Sequence, residues 1–228
     1  LKNCIDLSKL ENIVEIGCGA GGILVPFKEI GKTVSGCDFD KDYLEYGKQK
    51  GLNLIYGSSD QIQNNSADLV ILSHVMEHLL HPIDEMKAII GKIKPEKYIL
   101  VEVPGIFRIA NAYFNPILYF LNAHYYYYYY YYLRVFFTQL GLKVLYGDEQ
   151  CTVICQKPKD WNSEKTPSII YDDSLQAYPQ KVANYLIRCK RIDRILFNAS
   201  KLHLHEIACK FGWKKIRPYF LKKYRYEK

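Results

Sequence analysis

Alternation is the strongest constraint on what this chain can fold into. Between residues 13 and 103, short apolar runs (Ile13–Ile16, Thr33–Cys37, Asn53–Tyr56, Asp68–Leu72 and Tyr98–Val103) are separated by stretches with helical spacing. A strand covered on both faces reads as a continuous apolar run, and parallel neighbours need a crossover long enough to hold a helix. The pattern predicts an α/β protein with a doubly wound, mostly parallel sheet. Its helices are expected over Ile23–Ile30, Lys41–Lys50, Pro82–Ile93 and Leu133–Leu140. Proline at position 82 suits a first helical turn, where its missing N–H costs nothing. Two further runs, Lys143–Tyr146 and Thr152–Gln156, flank Gly147-Asp148. That dipeptide is a tight-turn signal, so the sheet should reach seven strands and end in an antiparallel hairpin.

At 228 residues the chain can bury a full core and fits one domain with an appendage. The charge divides it the same way. Residues 159–228 hold 16 Lys/Arg against 7 Asp/Glu, a net of +9. This leaves 15 against 17, a net of −2, in residues 1–158 of a chain whose total is +7. The expected organisation is therefore a sheet domain over 1–158 and a basic, aromatic-rich helical extension over 159–228. Seven scattered cysteines without a Cys-x-x-Cys pair read as reduced, mostly buried thiols of a cytoplasmic protein. The sequence shows no signal-peptide pattern and no run of eighteen apolar residues. Leu1 lies close to the first core strand, which suggests a segment upstream.

Residues 104–132 interrupt the alternation with dense aromatics and end in eight consecutive tyrosines, Tyr125–Tyr132. Such a run has β-propensity and is sticky where exposed, but no periodicity explains it. No expectation about the site is placed on an individual tyrosine.

The first strand runs into Glu15-Ile16-Gly17-Cys18-Gly19-Ala20-Gly21-Gly22. Glycines after a strand let the backbone approach a ligand, and the helix that follows offers its first N–H groups. Alone the signal is weak, because Gly17, Gly19 and Gly22 also fit the dinucleotide fingerprint G-x-G-x-x-G. Glu15 shifts the balance. An acid at the strand's carboxyl end repels a pyrophosphate, whereas the ammonium of an amino-acid ligand offers it a counter-charge. Asp38 ends the second strand 21 residues after Gly17, where an acid accepts hydrogen bonds from ribose hydroxyls. An alternative for Asp38 is the N-cap of the next helix.

Val14-Glu15-Ile16-Gly17-Cys18-Gly19-Ala20-Gly21 resembles the first motif of class I S-adenosylmethionine-dependent methyltransferases, and Gly36-Cys37-Asp38-Phe39-Asp40 resembles their second. Asp68-Leu69-Val70-Ile71-Leu72-Ser73-His74-Val75-Met76-Glu77-His78 with His81-Pro82 is similar to the fourth-strand segment of their small-molecule and glycan branch. Lys94-Pro95-Glu96-Lys97-Tyr98 follows the lead into the fifth strand, with Glu-Lys where Gly-Gly is usual. The likeness covers residues 11–158. It implies a Rossmann-like sheet and S-adenosylmethionine as cofactor. Gly17, Cys18 and Gly19 would lie along the methionine portion beside Glu15, with Asp38 on the ribose and Phe39 against the adenine. Ser58 and Ser59 stand where the family often has an acid near the adenine amino group, and Asp60 is a candidate substitute. Ser73 would face the sulfonium.

His74 and His124 are the catalytic candidates, placed by the resemblance on the substrate side. His74, His78 and His81 also invite a metal reading, but no cysteine or acid cluster supports them, so no metal is expected. In the extension, Val182, Leu186, Cys189, Ile192 and Leu196 alternate with Arg188, Lys190, Arg191 and Arg194, a basic amphipathic helix over 179–211 interrupted near Asn198. Its plain reading is a helix covering the core. The aromatic and basic residues of 211–228 add peripheral contact with an anionic membrane and a lipid-linked acceptor. The expected function is methyl transfer to a small-molecule, glycan or lipid-linked acceptor. The rivals are a nucleic-acid methyltransferase, disfavoured because Ser73-His74-Val75-Met76 stands where an Asn-Pro-Pro-Tyr signature would, a non-catalytic scaffold, and a dinucleotide oxidoreductase.

Overall fold

A computed structural model describes residues 4–109, 120, 123–170 and 172–201. The expected sheet is present, with strands β1 (Asn12–Ile16), β2 (Thr33–Asp38), β3 (Asn53–Tyr56), β4 (Ala67–Ser73), β5 (Ile93–Glu102), β6 (Lys143–Gly147) and β7 (Thr152–Gln156). Their order is 3-2-1-4-5-7-6. The first five are parallel, while β7 runs antiparallel to both β5 and β6. The helices are α1 (Val25–Glu29), α2 (Lys41–Gln49), α3 (Pro82–Lys92), α4 (Tyr130–Gln139) and α5 (Tyr178–Lys201).

Alternate strand residues feed two cores, as a period of two requires. On one face Val14, Ile16, Val70 and Leu72 meet Met86, Ile89 and Ile90 of α3 and Leu133, Phe136 and Phe137 of α4. On the other, Ile13, Leu69 and Ile71 meet Leu24, Phe27 and Leu44 around α1 and α2. Each of these large side chains, fully buried, contributes about 1.5–3 kcal/mol. At the amino ends of β1 and β4, buried Asp68 accepts from the Glu11 and Asn12 N–H groups at 2.8 and 2.9 Å and from Lys94 at 3.0 Å. Burial would raise its pKa, but these donors outweigh it and hold the carboxyl below its ordinary value.

The structure moves several expected boundaries. α1 is five residues rather than eight, because the glycine turn continues to Leu24. β5 begins at Ile93, and its register against β4 jumps from Ala67↔Ile93 to Leu69↔Tyr98, so Lys94–Lys97 bulge out. Glu96 sits there at φ +61, where the resemblance has glycine. Its N–H is held by the Lys157 carbonyl and its own carbonyl by Gln156. α4 starts three residues early, inside the tyrosine run, and Tyr128 just before it is buried. The link between β6 and β7 is longer than a two-residue turn. Asp148 Oδ1 collects the Gln150 and Thr152 N–H groups, and Cys151 takes φ +63.

The chain forms two compact units, one of residues 1–105 and 123–172 and the other of 106–122 and 173–228. Residues 159–172, expected in the extension, thus belong with the sheet. Trp161 explains this, because its indole donates to the Leu140 carbonyl at 2.8 Å and its ring packs on the core. In the second unit α5 is one-sided. Tyr178, Val182, Tyr185, Leu186 and Cys189 are sheltered while Arg188, Lys190 and Arg191 are exposed, and Tyr185 meets Phe107 edge-on at 5.4 Å. The break expected near Asn198 is absent, since the helix runs on to Lys201. The segment 211–228 lies outside the described residues. Among those described, no helix is long and apolar enough to cross a membrane.

Candidate functional site

In a doubly wound sheet the crevice lies at the carboxyl ends of the strands, where the winding reverses, here between β1 and β4. The glycine turn fills that point. The Gly17 and Cys18 N–H groups both donate to the Cys37 carbonyl, at 2.8 and 3.1 Å, which ties the turn to the end of β2. Gly17 and Gly19 have φ of +70 and +50, a conformation open to glycine and costly for most side chains. A Cβ on Gly17 would run into Val75, whereas one on Gly19 would meet nothing nearer than the Tyr43 ring at 4.0 Å. The turn is thus packed against the β4 loop on one side and open above Gly19.

Asp38 does two things at once. One carboxylate oxygen accepts from the Gly19 N–H at 2.7 Å and the other from Asp40 N–H at 2.8 Å. It therefore shapes the glycine turn and keeps further lone pairs for a ligand. The N-cap of α2 is Asp40, whose Oδ1 accepts from Asp42 and Tyr43, so the capping alternative for Asp38 is set aside.

Glu15 is buried, and its Oε2 has no hydrogen-bond partner. Burial, reinforced by the charge of Asp38, pushes its pKa up to about 8. A buried acid with one oxygen left without a donor, at a turn open above Gly19, is a group that an incoming cation would complete. Cys18 packs into the core under Gly36, and burial followed by the Glu15 charge pushes its thiol up to about 12. It can meet a ligand only through its backbone. Phe39 is 65% exposed beside the glycine turn, and its ring meets that of Tyr56 edge-on at 5.8 Å. Ser58 caps the short turn Ser59–Gln61 by accepting from the Asp60 N–H, and its hydroxyl donates to the Asp60 carboxylate at 3.1 Å.

Across the crevice, Ser73 ends β4 and His74 follows at φ +57, its N–H held by the Glu102 carbonyl at 2.9 Å. A non-glycine residue in that conformation at a strand's carboxyl end is a common mark of a functional position. His74 Nδ1 lies 3.4 Å from Glu77 Oε1, and this contact raises the histidine's pKa against the opposing effect of burial. His124 is brought to the same carboxylate, with Nε2 at 4.0 Å, and burial lowers its pKa. The two histidines taken from the sequence therefore share one partner. The sequence reading passed over that partner, Glu77. Its signal was an acid directly before His78, but only the folded turn Met76–His78 shows that it points inward. His81 stands apart as the residue before α3.

The sheet order, the antiparallel last strand and the glycine turn flanked by two acids together define the Rossmann-like class I methyltransferase fold. Residues 4–146 match the methyltransferase domain family, so the chain belongs to that family. No curated protein matches it. Among solved structures it is similar to an S-adenosylmethionine-dependent methyltransferase from Archaeoglobus fulgidus, with a TM-score of 0.52 and 22% identity over 62% of this chain and 66% of that one. It is also similar to such a protein from Methanosarcina mazei, with a TM-score of 0.51 and 17% identity over 69% and 96%. It spans only 52% of a similar Mesorhizobium loti protein. At these identities the likeness is one of fold.

Proposed function

We propose that this chain binds S-adenosylmethionine and transfers its methyl group to a small-molecule, glycan or lipid-linked acceptor. The observation that carries this reading is Glu15, a buried carboxyl with an unpartnered oxygen at the glycine turn, which an α-ammonium would complete. When bound, the cofactor supplies an electrophilic sulfonium methyl, so the protein's work is mainly positioning. Gly17, Cys18 and Gly19 would present backbone to the methionine portion, with Asp38 taking the ribose hydroxyls. Phe39 would cover the adenine, and Ser58, Ser59 and Asp60 would line its amino edge. Ser73 would face the sulfonium, with His74 and His124 on the acceptor side. A base there matters only for a hydroxyl acceptor, whose proton must leave.

The test follows from protonation. Free Glu15 is mostly neutral at pH 7, since its pKa is about 8 rather than 4.5. This raised value stabilises the fold fully below about 4.5, and that stability is lost as the pH rises through 8. An ammonium beside Glu15 favours the ionised form, so cofactor binding at pH 7 should release close to one proton from it. The release should fade above pH 8. Calorimetry in buffers of different ionisation enthalpy reads this directly, and Glu15→Gln should lack the release. Equal proton counts in both chains would remove Glu15 from the site, and binding of NAD alone would replace the reading by an oxidoreductase.

The basic face of α5, with Arg188, Lys190 and Arg191 exposed opposite a sheltered stripe, favours an acceptor held at an anionic surface. The full chain is expected to co-sediment with anionic vesicles at low salt and to be released as salt rises. Absence of binding at low salt would leave a freely diffusing acceptor.

A further inference from the structure

The histidines gathered around Glu77 leave its buried carboxylate without a hydrogen bond. Its side chain is 1% exposed, and neither carboxylate oxygen accepts a hydrogen bond. Three imidazoles converge on Oε1: His74 Nδ1 at 3.4 Å, His78 Nε2 at 4.0 Å and His124 Nε2 at 4.0 Å. The orientation of His78 is decided by its other nitrogen, which lies 2.8 Å from the Ala123 carbonyl. A carbonyl only accepts, so Nδ1 carries a hydrogen there. In the neutral ring Nε2 then turns a lone pair toward the Glu77 carboxylate. His124 crosses the His78 ring edge-on at 4.9 Å and brings its own Nε2 to the same point, while its buried Nδ1 has no partner. A lone pair facing a buried carboxylate is unfavourable unless a proton or another positive centre sits between them.

We propose that Glu77, His78 and His124 form a binding site for one divalent transition-metal ion, with His74 at its edge. The ligand atoms of these three residues lie within 4.8 Å of one another. At metal–ligand bonds of about 2.0–2.2 Å, tetrahedral ligand atoms stand roughly 3.3–3.6 Å apart, so the widest pair closes by somewhat more than about 1 Å on binding. Two imidazole nitrogens and one carboxylate oxygen make a donor set for Zn²⁺, Fe²⁺, Co²⁺ or Mn²⁺ rather than for Ca²⁺. The bond from His78 Nδ1 to the Ala123 carbonyl is the outer contact that fixes a metal-binding histidine in the right tautomer. Backbone anchors hold the cluster in place, since the Tyr125 N–H donates to the Glu77 carbonyl at 2.9 Å. Three protein ligands would leave coordination positions open, and an acceptor oxygen could occupy one. The site is distinct from the glycine turn, and the proposal stands without the cofactor reading.

The test uses the full chain stripped with a chelator, with neither cofactor nor acceptor present. Titration with Zn²⁺ and Mn²⁺, with bound metal counted by mass spectrometry, should give one ion per chain. Co²⁺ should produce visible absorption bands of a nitrogen- and oxygen-ligated ion. Glu77→Gln and His124→Ala should each weaken binding by roughly 100-fold or more, while His81→Ala should leave it unchanged. Glu77→Gln keeps the shape of a buried side chain, and His124→Ala provides a second route should that substitution unfold the chain. The proposal is overturned if the natural chain takes up no metal. It is equally overturned if the folded variants bind as the natural chain does, which would place the ion elsewhere. Neither result touches cofactor binding, which the calorimetry at Glu15 tests separately.

Discussion

Asp38→Ala is expected to lower affinity for S-adenosylmethionine by roughly 100- to 1,000-fold, the largest effect of any single side chain in the crevice. The substitution removes two kinds of contact. The Gly19 N–H loses the carboxylate that holds it at 2.7 Å, so the turn is no longer shaped before the ligand arrives. In the proposed site the ribose hydroxyls would also lose their charged acceptor, and hydrogen bonds to a charged group are worth about 1.5–3 kcal/mol each. Asp38→Asn separates the two, because it keeps one acceptor oxygen for the Gly19 N–H while removing the charge. Calorimetry should place it between the natural chain and the alanine variant. An Asp38→Ala chain that binds the cofactor within a few-fold of the natural one would remove this residue from the ribose site.

Gly17→Ala carries the second large effect, and it falls on stability before binding. The position has φ +70, which costs an alanine about 1–2 kcal/mol. The new methyl also runs into Val75, and relieving such an overlap costs about 1–3 kcal/mol more. Together these amount to roughly 2–5 kcal/mol, or a fall in Tm of about 5–15 °C for a chain of this size. Val75→Ala in the same chain should recover the steric part and leave the backbone part. Thermal denaturation of the two variants reads both. Full recovery by Val75→Ala would mean the backbone conformation costs nothing, and no recovery would mean that Val75 does not limit the approach.

Much of the sheet could be read from local chemistry. Apolar runs at β1 to β3 end where a charged or glycine residue begins, so their positions needed no knowledge of neighbours. The misreadings lie where long-range pairing overrode local signals. Lys94–Lys97 look like a loop, yet the strand begins before them because Ala67 pairs with Ile93 across a bulge. The tyrosine run carries no periodicity, yet α4 starts inside it because Leu133, Phe136 and Phe137 must reach the core. Residues 159–172 look like the start of a basic tail until Trp161 finds the Leu140 carbonyl.

What the sequence alone determined is the class of fold and the place of the glycine turn. Strand periodicity, the glycines at 17 and 19 and the acids at 15 and 38 are local statements about backbone freedom and charge. What only the tertiary structure decided is the company each acid keeps. One oxygen of Glu15 was buried without a donor and Asp38 gained the Gly19 N–H, while Glu77 was surrounded by histidines from positions 74, 78 and 124. Burial and convergence arise from residues distant in the chain meeting at one end of a sheet, and no local pattern encodes them.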